Sequence, residues 1–324
     1  MKSLTSNNRQ HILDALRGFA IISIMLLHNI EHFDFYFRPE HLSEWMKILD
    51  QKIWDSMFFL FAGKSYAIFA LLFGVTFFIQ TNNQEKKGYD FRPRFAWRLV
   101  LLILFGLFNT IFFLGDILLI YAFIGFLLIP FYKIKNRIIL ITAFILILQP
   151  IEIYTFFNHL INPEIGFKNP NSWAYFGKMR QILEGSSFIE TAKGNLFTGR
   201  LAGINWYWEN RMLHIFALFL CGLVAGRKQL FLKSEKNNKF WKKTLIISII
   251  IFIPFYYLHS NANQLFTVRA PQFSFTMLMA SYKNIAFMFI LLACFYYLFY
   301  SKTFGKILSV FSPIGKMSLS NYVF

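Results

Sequence analysis

The sequence predicts an all-α fold: a polytopic integral membrane helix bundle with eight full spans, the start of a ninth and a cytoplasmic N-terminus. First, 56% of the 324 residues are hydrophobic and only 15% are charged, which leaves more apolar surface than a soluble core could bury. Second, several apolar runs approach the roughly 20 residues that cross a hydrocarbon layer of about 30 Å. Third, these runs are continuous rather than alternating, which indicates helices and not the strands of a β-barrel.

Eight apolar runs define the predicted spans. In chain order they are approximately Ile12–Ile30, Ile53–Gln80, Phe95–Leu114, Ile117–Tyr132, Ile138–Phe157, Met212–Gly226, Thr244–His259 and Phe275–Tyr300. A ninth run begins near Met317 and reaches Phe324, where the sequence stops. Residues 158–208 form the one long outer segment, because the other connections are short.

The basic residues indicate the orientation of the chain. With the N-terminus inside, the predicted cytoplasmic segments hold 20 of the 33 Lys and Arg, and the outer segments hold nine. This is the positive-inside bias of membrane proteins. Topology therefore explains the net charge of +17 better than a nucleic-acid surface does. Cys221 and Cys294 lie in apolar runs without metal-ligand spacing, so no disulfide framework and no metal site is predicted.

The first span carries two ionisable residues, Arg17 and His28, that are eleven positions apart. At about 100° and 1.5 Å per residue they lie roughly 20° from the same helix face and about 16 Å apart along the axis. Arg17 alone could snorkel to headgroups or pair with Asp14, and His28 alone could be an interfacial side chain. Together they favour a functional groove, because ionisable groups inside a membrane are costly and imidazole accepts protons near neutral pH.

Several segments resemble a known group of membrane proteins. The first helix, LDALRGFAIISIMLLHN, resembles the opening helix of membrane acyltransferases, whose acyltransferase family 3 branch carries Arg, ten residues, then His. Three further segments resemble the YeiB-like family (domain of unknown function 418). They are GKSYAIFALLFG (Gly63–Gly74), RLVLLILFGLFNTIFFLGDILLIYAFIGFLLIPF (Arg98–Phe131) and GKMSLSNYVF (Gly315–Phe324). YeiB-like proteins and heparan-glucosaminide acetyltransferases commonly carry Asn where this chain has His28.

The resemblance implies an acyltransferase that moves an acyl group, most simply acetyl, from cytoplasmic acyl-CoA to a hydroxyl or amine. The acceptor would be an envelope glycan or a membrane lipid, and the location the bacterial inner membrane. It also implies an acyltransferase-like core at 1–157, an extracytoplasmic loop at 158–211 and a C-terminal membrane domain at 212–324. A transporter or flippase is the alternative function, and a homo-oligomer is left open.

Within this resemblance, His28 is the predicted base, and His32 or His41 is left open as a substitute. Asp116 either caps the fourth helix or orients His28 as a carboxylate orients imidazole in other acyl transfers. Lys64 either lines the acyl path, partners Asp116 or forms a structural pair, because a buried ammonium needs a partner or loses its proton.

Arginines at the cytoplasmic end of the third span are the predicted donor site. Arg94 and Arg98 are four residues apart and so share a helix face. Positive-inside bias alone could account for them, but with Arg17 they would also bind the phosphates of acyl-CoA, since guanidinium binds phosphate bidentately.

Aromatic and polar residues near 205–214 form the last group. Trp206 and Trp208 would either anchor the chain at the outer interface or form a platform for the acceptor. Glu209, Arg211 and His214 are expected to be interfacial.

Overall fold

The structure is a computed structural model that describes residues 4–34, 41–115, 117–162, 164–185 and 187–317. Every regular element within these ranges is a helix. The all-α prediction is therefore confirmed for the part of the chain that the structure describes.

Sixteen α-helices occur in the described ranges. In chain order they are α1 (Leu4–Asp34), α2 (Glu44–Phe61), α3 (Ser65–Glu85), α4 (Arg92–Thr110), α5 (Leu118–Leu128), α6 (Asn136–Ile147), α7 (Pro150–Ile161), α8 (Asn171–Leu183), α9 (Phe188–Gly194), α10 (Arg200–Asn210), α11 (Met212–Arg227), α12 (Glu235–Ser260), α13 (Ala262–Leu265), α14 (Arg269–Phe299), α15 (Phe304–Ser309) and α16 (Phe311–Lys316). A 3₁₀ turn follows α5 at Ile129–Lys133, and a π-helical turn joins α9 to α10 at Asn195–Gly199.

Six stretches of the described helices are long and apolar enough to cross a membrane: His11–Glu31, Glu44–Glu85, Arg92–Thr110, Asn136–Ile161, Glu235–Ser260 and Arg269–Phe299. A seventh crossing results if Phe188–Glu209 and Met212–Arg227, bent by 67°, form one span. The fourth predicted span corresponds to the apolar but shorter Leu118–Lys133. The chain is thus a multi-pass membrane protein. Eight spans and a cytoplasmic N-terminus stay predictions, and the ninth run lies beyond the described residues.

The long outer segment predicted at 158–208 is largely helical. Its helices α8, α9 and α10 pack on one another, and Met179 of α8 and Ala202 of α10 are completely buried. A capping box starts α9, because the Ser187 side chain accepts from the Glu190 amide while the Glu190 side chain accepts from the Ser187 amide. The segment is therefore a folded helical layer rather than an extended loop.

The chain divides into two compact units that are not successive in sequence. Unit 1 comprises Met1–Leu72, Gln229–Pro254 and Ser281–Phe324, and unit 2 comprises Phe73–Lys228 and Phe255–Ala280. Three of the four unit boundaries fall inside α3, α12 and α14, and the fourth follows α11. The three-part division predicted from the resemblance stays a prediction.

In unit 1, α1 packs against α16 at backbone contact distance. Gly18 lies against the carbonyl oxygen of Phe311, and Gly315 lies against the carbonyl oxygen of Asp14. A Cβ at either glycine would overlap those oxygen atoms. The hydroxyl of Ser312 also donates to the carbonyl oxygen of His11 at 3.1 Å. Small residues at such a crossing let two helices approach closely, which is how membrane helices associate.

In unit 2, aromatic packing forms the core around α11. The rings of Phe73 and Phe219 stack with centroids 4.5 Å apart, and Tyr121 meets Phe219 edge-on at 5.3 Å. The guanidinium of Arg227 closes the turn after α5 by donating to the carbonyl oxygens of Tyr132 and of Ile134, the latter at 2.7 Å. This arginine therefore supplies donors to carbonyl groups that no helix satisfies.

Polar side chains inside the spans bond to their own helix. Hydroxyl and amide groups donate to the carbonyl oxygen four residues earlier at Ser23, Asn29, Thr81, Thr110, Thr155, Ser274 and Thr276. This arrangement gives each polar side chain a hydrogen-bond partner inside the protein, because lipid tails offer none. On α12, by contrast, Ile246, Ile247, Ile250 and Ile253 are between 49% and 64% exposed, as a lipid-facing surface requires.

We expect Gly18→Ala and Gly315→Ala each to lower the free energy of unfolding by about 1–3 kcal/mol, because the added methyl forces α1 and α16 apart. Thermal unfolding in detergent, followed by tryptophan fluorescence, measures the change. The matched control is Gly177→Ala in α8, where a Cβ meets nothing within 4 Å. The control should be neutral or slightly stabilising, and equal melting of all three variants would contradict the close contact.

Candidate functional site

Arg17 and His28 both lie on the uninterrupted helix α1, as the sequence predicted. The Nη1 atom of Arg17 donates to Oδ1 of Asp14 at 2.6 Å, and the arginine side chain is 20% exposed. The pairing that the sequence allowed is thus present. Any anion that binds Arg17 shares this guanidinium with Asp14.

The imidazole of His28 is held by a carboxylate one turn further along α1. Nδ1 of His28 lies 3.1 Å from Oε2 of Glu31. Both side chains remain partly exposed, at 33% and 39%. A carboxylate at Nδ1 fixes the tautomer that leaves Nε2 as an acceptor, which is the arrangement of a general base.

The alternative bases differ in position from His28. His41 is exposed just before α2, in the described residues that follow the gap at 35–40. His32 belongs to α1, but its side chain lies outside the described part of the structure. Asp116, the predicted orienting carboxylate, also lies outside the described residues.

Lys64 lies in the break between α2 and α3 and is only 5% exposed. Its Nζ atom is 3.5 Å from the carbonyl oxygen of Phe58 and 5.7 and 5.5 Å from the ring centroids of Phe59 and Phe287. No carboxylate of the described residues lies within ion-pair distance. A carbonyl and two aromatic faces therefore surround the ammonium group.

The backbone at this break is unusual and brings a distant helix close. Gly63 has φ of +80°, a conformation that other L residues rarely adopt. The side chain of Asn284 in α14 packs on Gly63, so that a Cβ at position 63 would lie 2.5 Å from its Nδ2 atom. Lys283, the neighbour of Asn284, is near enough for its charge to act on Lys64.

In unit 2, the arginines at the start of α4 have separate roles. Asp90 accepts from the backbone and side chain of Arg92 at 2.9 and 3.0 Å, and these hydrogen bonds lower the pKa of Asp90 to about 2. Arg98 donates to Oε1 of Gln80 at 2.8 Å, and Arg94 and Arg98 are both exposed. Arg94 and Arg98 thus present their charges on the surface of unit 2, while the Asp90 carboxylate accepts from the Arg92 amide at the start of α4.

Glu209, Arg211 and His214 each contact a different partner. The Glu209 carboxylate accepts from the Asn171 amide at 2.8 Å and so caps α8. The Arg211 guanidinium lies 5.2 Å from the Trp206 ring. His214 is 2% exposed and bonds to the carbonyl oxygen of Ile147 at 3.3 Å. Helices α6 and α11 enclose His214 within unit 2. An interfacial position for these three residues stays a prediction.

Sequence reasoning missed Glu31 and the pair Lys283 and Asn284. Glu31 was readable, because side chains three residues apart on a helix face one another. Lys283 and Asn284 carry no such signal, since they lie more than 200 residues from Lys64 in the sequence. Among the described residues, no group of three His, Cys, Asp or Glu side chains could hold a metal ion.

Residues 225–324 match the family model of DUF418, described as a protein of unknown function. The match covers about the C-terminal third of the chain, called the DUF418 region below. This DUF418 region includes α14, with Lys283 and Asn284, and α16, with Gly315. Its assignment agrees with the C-terminal part of the resemblance seen in the sequence.

Two bacterial proteins are similar to the chain beyond the DUF418 region. The protein named uncharacterized protein YxaH, from Bacillus subtilis (strain 168), is 26% identical over 98% of this chain and 80% of its own length. The uncharacterized 39.9 kDa protein in amylase 3'region, from Bacillus acidopullulyticus, is 31% identical over 148 residues, which are 46% of this chain and 41% of that protein. No solved structure matches the chain.

We expect Arg17→Met to lower the free energy of unfolding by about 3 kcal/mol, because it leaves the Asp14 carboxylate buried without its cation. The double variant Asp14→Asn/Arg17→Met should recover a large part of this loss, since both charges are then removed. Urea or thermal unfolding of the four proteins of the cycle measures the coupling. Strictly additive effects would contradict the ion pair.

Proposed function

We propose that this DUF418 protein is a membrane-bound acyltransferase of the bacterial inner membrane. It moves an acyl group, acetyl in the simplest case, from cytoplasmic acyl-CoA to a hydroxyl or amine of an envelope glycan or lipid. The observation that carries the proposal is the His28–Glu31 pair on the same helix as Arg17. A carboxylate-oriented imidazole inside a multi-pass membrane protein is suited to proton removal from such an acceptor.

The proposed reaction moves one proton and replaces the carbon–sulfur bond of the thioester with a bond from the acyl carbon to the acceptor. The Nδ1–H group of His28 donates a hydrogen bond to Glu31, so that Nε2 removes the proton from the acceptor as the acceptor oxygen or nitrogen attacks the thioester carbonyl carbon. The carbon–sulfur bond breaks when the tetrahedral intermediate collapses. The imidazolium then returns the proton to the thiolate of CoA. The transfer is direct, with no covalent acyl-enzyme.

The donor role in this proposal belongs to the cationic residues. Arg94 and Arg98 are exposed at the start of α4, where guanidinium groups bind the phosphates of acyl-CoA. Arg17 adds positive charge on α1, shared with Asp14.

A transporter or flippase is the second candidate, and one observation favours it. The Glu44–Glu85 stretch is interrupted at residues 62–64, and the candidate span formed by α9 to α11 is bent by 67°. Interrupted helices of this kind frequently form substrate sites in transporters. Binding of acyl-CoA separates the two functions, because a transporter of another solute does not need it.

We expect His28→Ala to lower the rate of acetyl transfer by about 10²–10⁴-fold while the protein still folds, because it removes the base. Membranes containing the variant are incubated with radiolabelled acetyl-CoA, and label is counted in extracted glycans and lipids. Glu31→Gln should lower the rate less and shift its pH profile, because Glu31 acts through His28. Unchanged transfer in His28→Ala together with its loss in His41→Ala would assign the base to His41.

We expect acetyl-CoA to raise the melting temperature of the purified protein, and the double variant Arg94→Gln/Arg98→Gln to bind it at least tenfold more weakly. The control is Arg180→Gln, which changes an exposed arginine in α8 that pairs with Glu184. A melting temperature that does not respond to acetyl-CoA would contradict the enzyme and favour the transporter.

A further inference from the structure

Two buried polar atoms at the break between α2 and α3 have no hydrogen-bond partner in the described part of the chain. Oγ of Ser65, a residue that is 1% exposed, has no partner among the described residues, and neither does Oδ1 of Asn284. Ser65 directly follows Lys64, and Asn284 packs on Gly63. A buried hydroxyl or amide without a hydrogen bond costs about 1–3 kcal/mol, so two of them at one place indicate a bound partner.

Two lysines contribute positive charge at this place. Lys64 is nearly completely buried, and none of the described carboxylates pairs with it. The ammonium group of Lys283 lies near enough to repel it. Two like charges in a medium of low dielectric constant repel strongly, and an anion near both removes that cost.

The backbone adds to this positive potential. Helix α3 begins at Ser65 and continues for 21 residues. Its first turn therefore presents N–H groups and the positive end of the helix dipole towards the break. Helix starts of this length are common anion sites when side-chain donors accompany them, as Lys64 and Ser65 do here.

We propose that the break between α2 and α3 binds the phosphate group of a hydroxylated ligand. Lys64 Nζ, Ser65 Oγ and the start of α3 donate to the phosphate oxygens, and a ligand hydroxyl donates to Oδ1 of Asn284. Donors from several directions suit a tetrahedral phosphate better than a planar carboxylate. A free glycerol phosphate and a phosphatidylglycerol headgroup share this chemistry. The inference stands on unit 1 alone and does not depend on acyl transfer.

The test measures the melting temperature of the full chain with each source of the ligand. In detergent, sn-glycerol 3-phosphate is titrated at constant ionic strength. In a second arm, nanodiscs of phosphatidylcholine are compared with nanodiscs that also contain phosphatidylglycerol. We expect the melting temperature to rise in at least one arm, because a ligand that binds only the folded state stabilises it.

Three variants decide whether the response comes from this site. Ser65→Ala should weaken the apparent affinity for the phosphate ligand about tenfold, because it removes one hydrogen bond to a charged group. Lys64→Met should abolish the response, and the control Lys306→Met, an exposed lysine of unit 1, should respond as the original chain does. Ser65→Ala should keep its response to acetyl-CoA, which separates this site from the donor site.

The outcomes are distinct. A response to glycerol phosphate identifies a soluble ligand, and a response to phosphatidylglycerol alone identifies the lipid headgroup; both support the site. No response in either arm overturns it, as does a response that is equal in all variants. If Lys64→Met does not fold, Ser65→Ala decides, because it only removes a hydroxyl that has no partner among the described residues.

Discussion

Peptide groups inside hydrocarbon need partners within the protein, and this requirement explains where polar residues lie in the chain. Between α2 and α3 the amide of Ala62 still donates to Phe58 and that of Lys64 to Phe61, at 3.1 and 3.0 Å. Gln149, with φ of +51° between α6 and α7, marks a second interruption. The buried Lys64 and His214 lie at or beside these interruptions. The candidate anion site is thus a consequence of the place where regular helix ends.

Much of the fold was predictable because long apolar runs leave few alternatives to helices in lipid. The first, second, third, fifth, seventh and eighth predicted spans each correspond to a candidate crossing of the described chain. The helices at 158–208 were not predicted, because their short polar sequences depend on packing at residues such as Met179. Only the Ser187–Glu190 capping box gave a local signal of their start.

The candidate site was predictable only where its contacts are local. Arg17 and Asp14, three residues apart, form the ion pair that the helix spacing allowed. The same spacing rule would have identified Glu31 as the partner of His28. The surroundings of Lys64 were not predictable, because Asn284 approaches Gly63 through tertiary packing that no periodicity in the sequence records. The two roles predicted for Asp116, capping a helix or orienting His28, stay predictions.

The contact between α1 and α16 has a consequence for biosynthesis. His11 and Ser312, which bond to each other there, are separated by 301 positions. At roughly 5–20 residues per second, a ribosome needs about 15–60 s to make the intervening chain. During that interval α1 exposes the narrow groove at Gly18 that α16 will fill. Premature termination between the two would leave that groove permanently open to lipid or to other nascent helices.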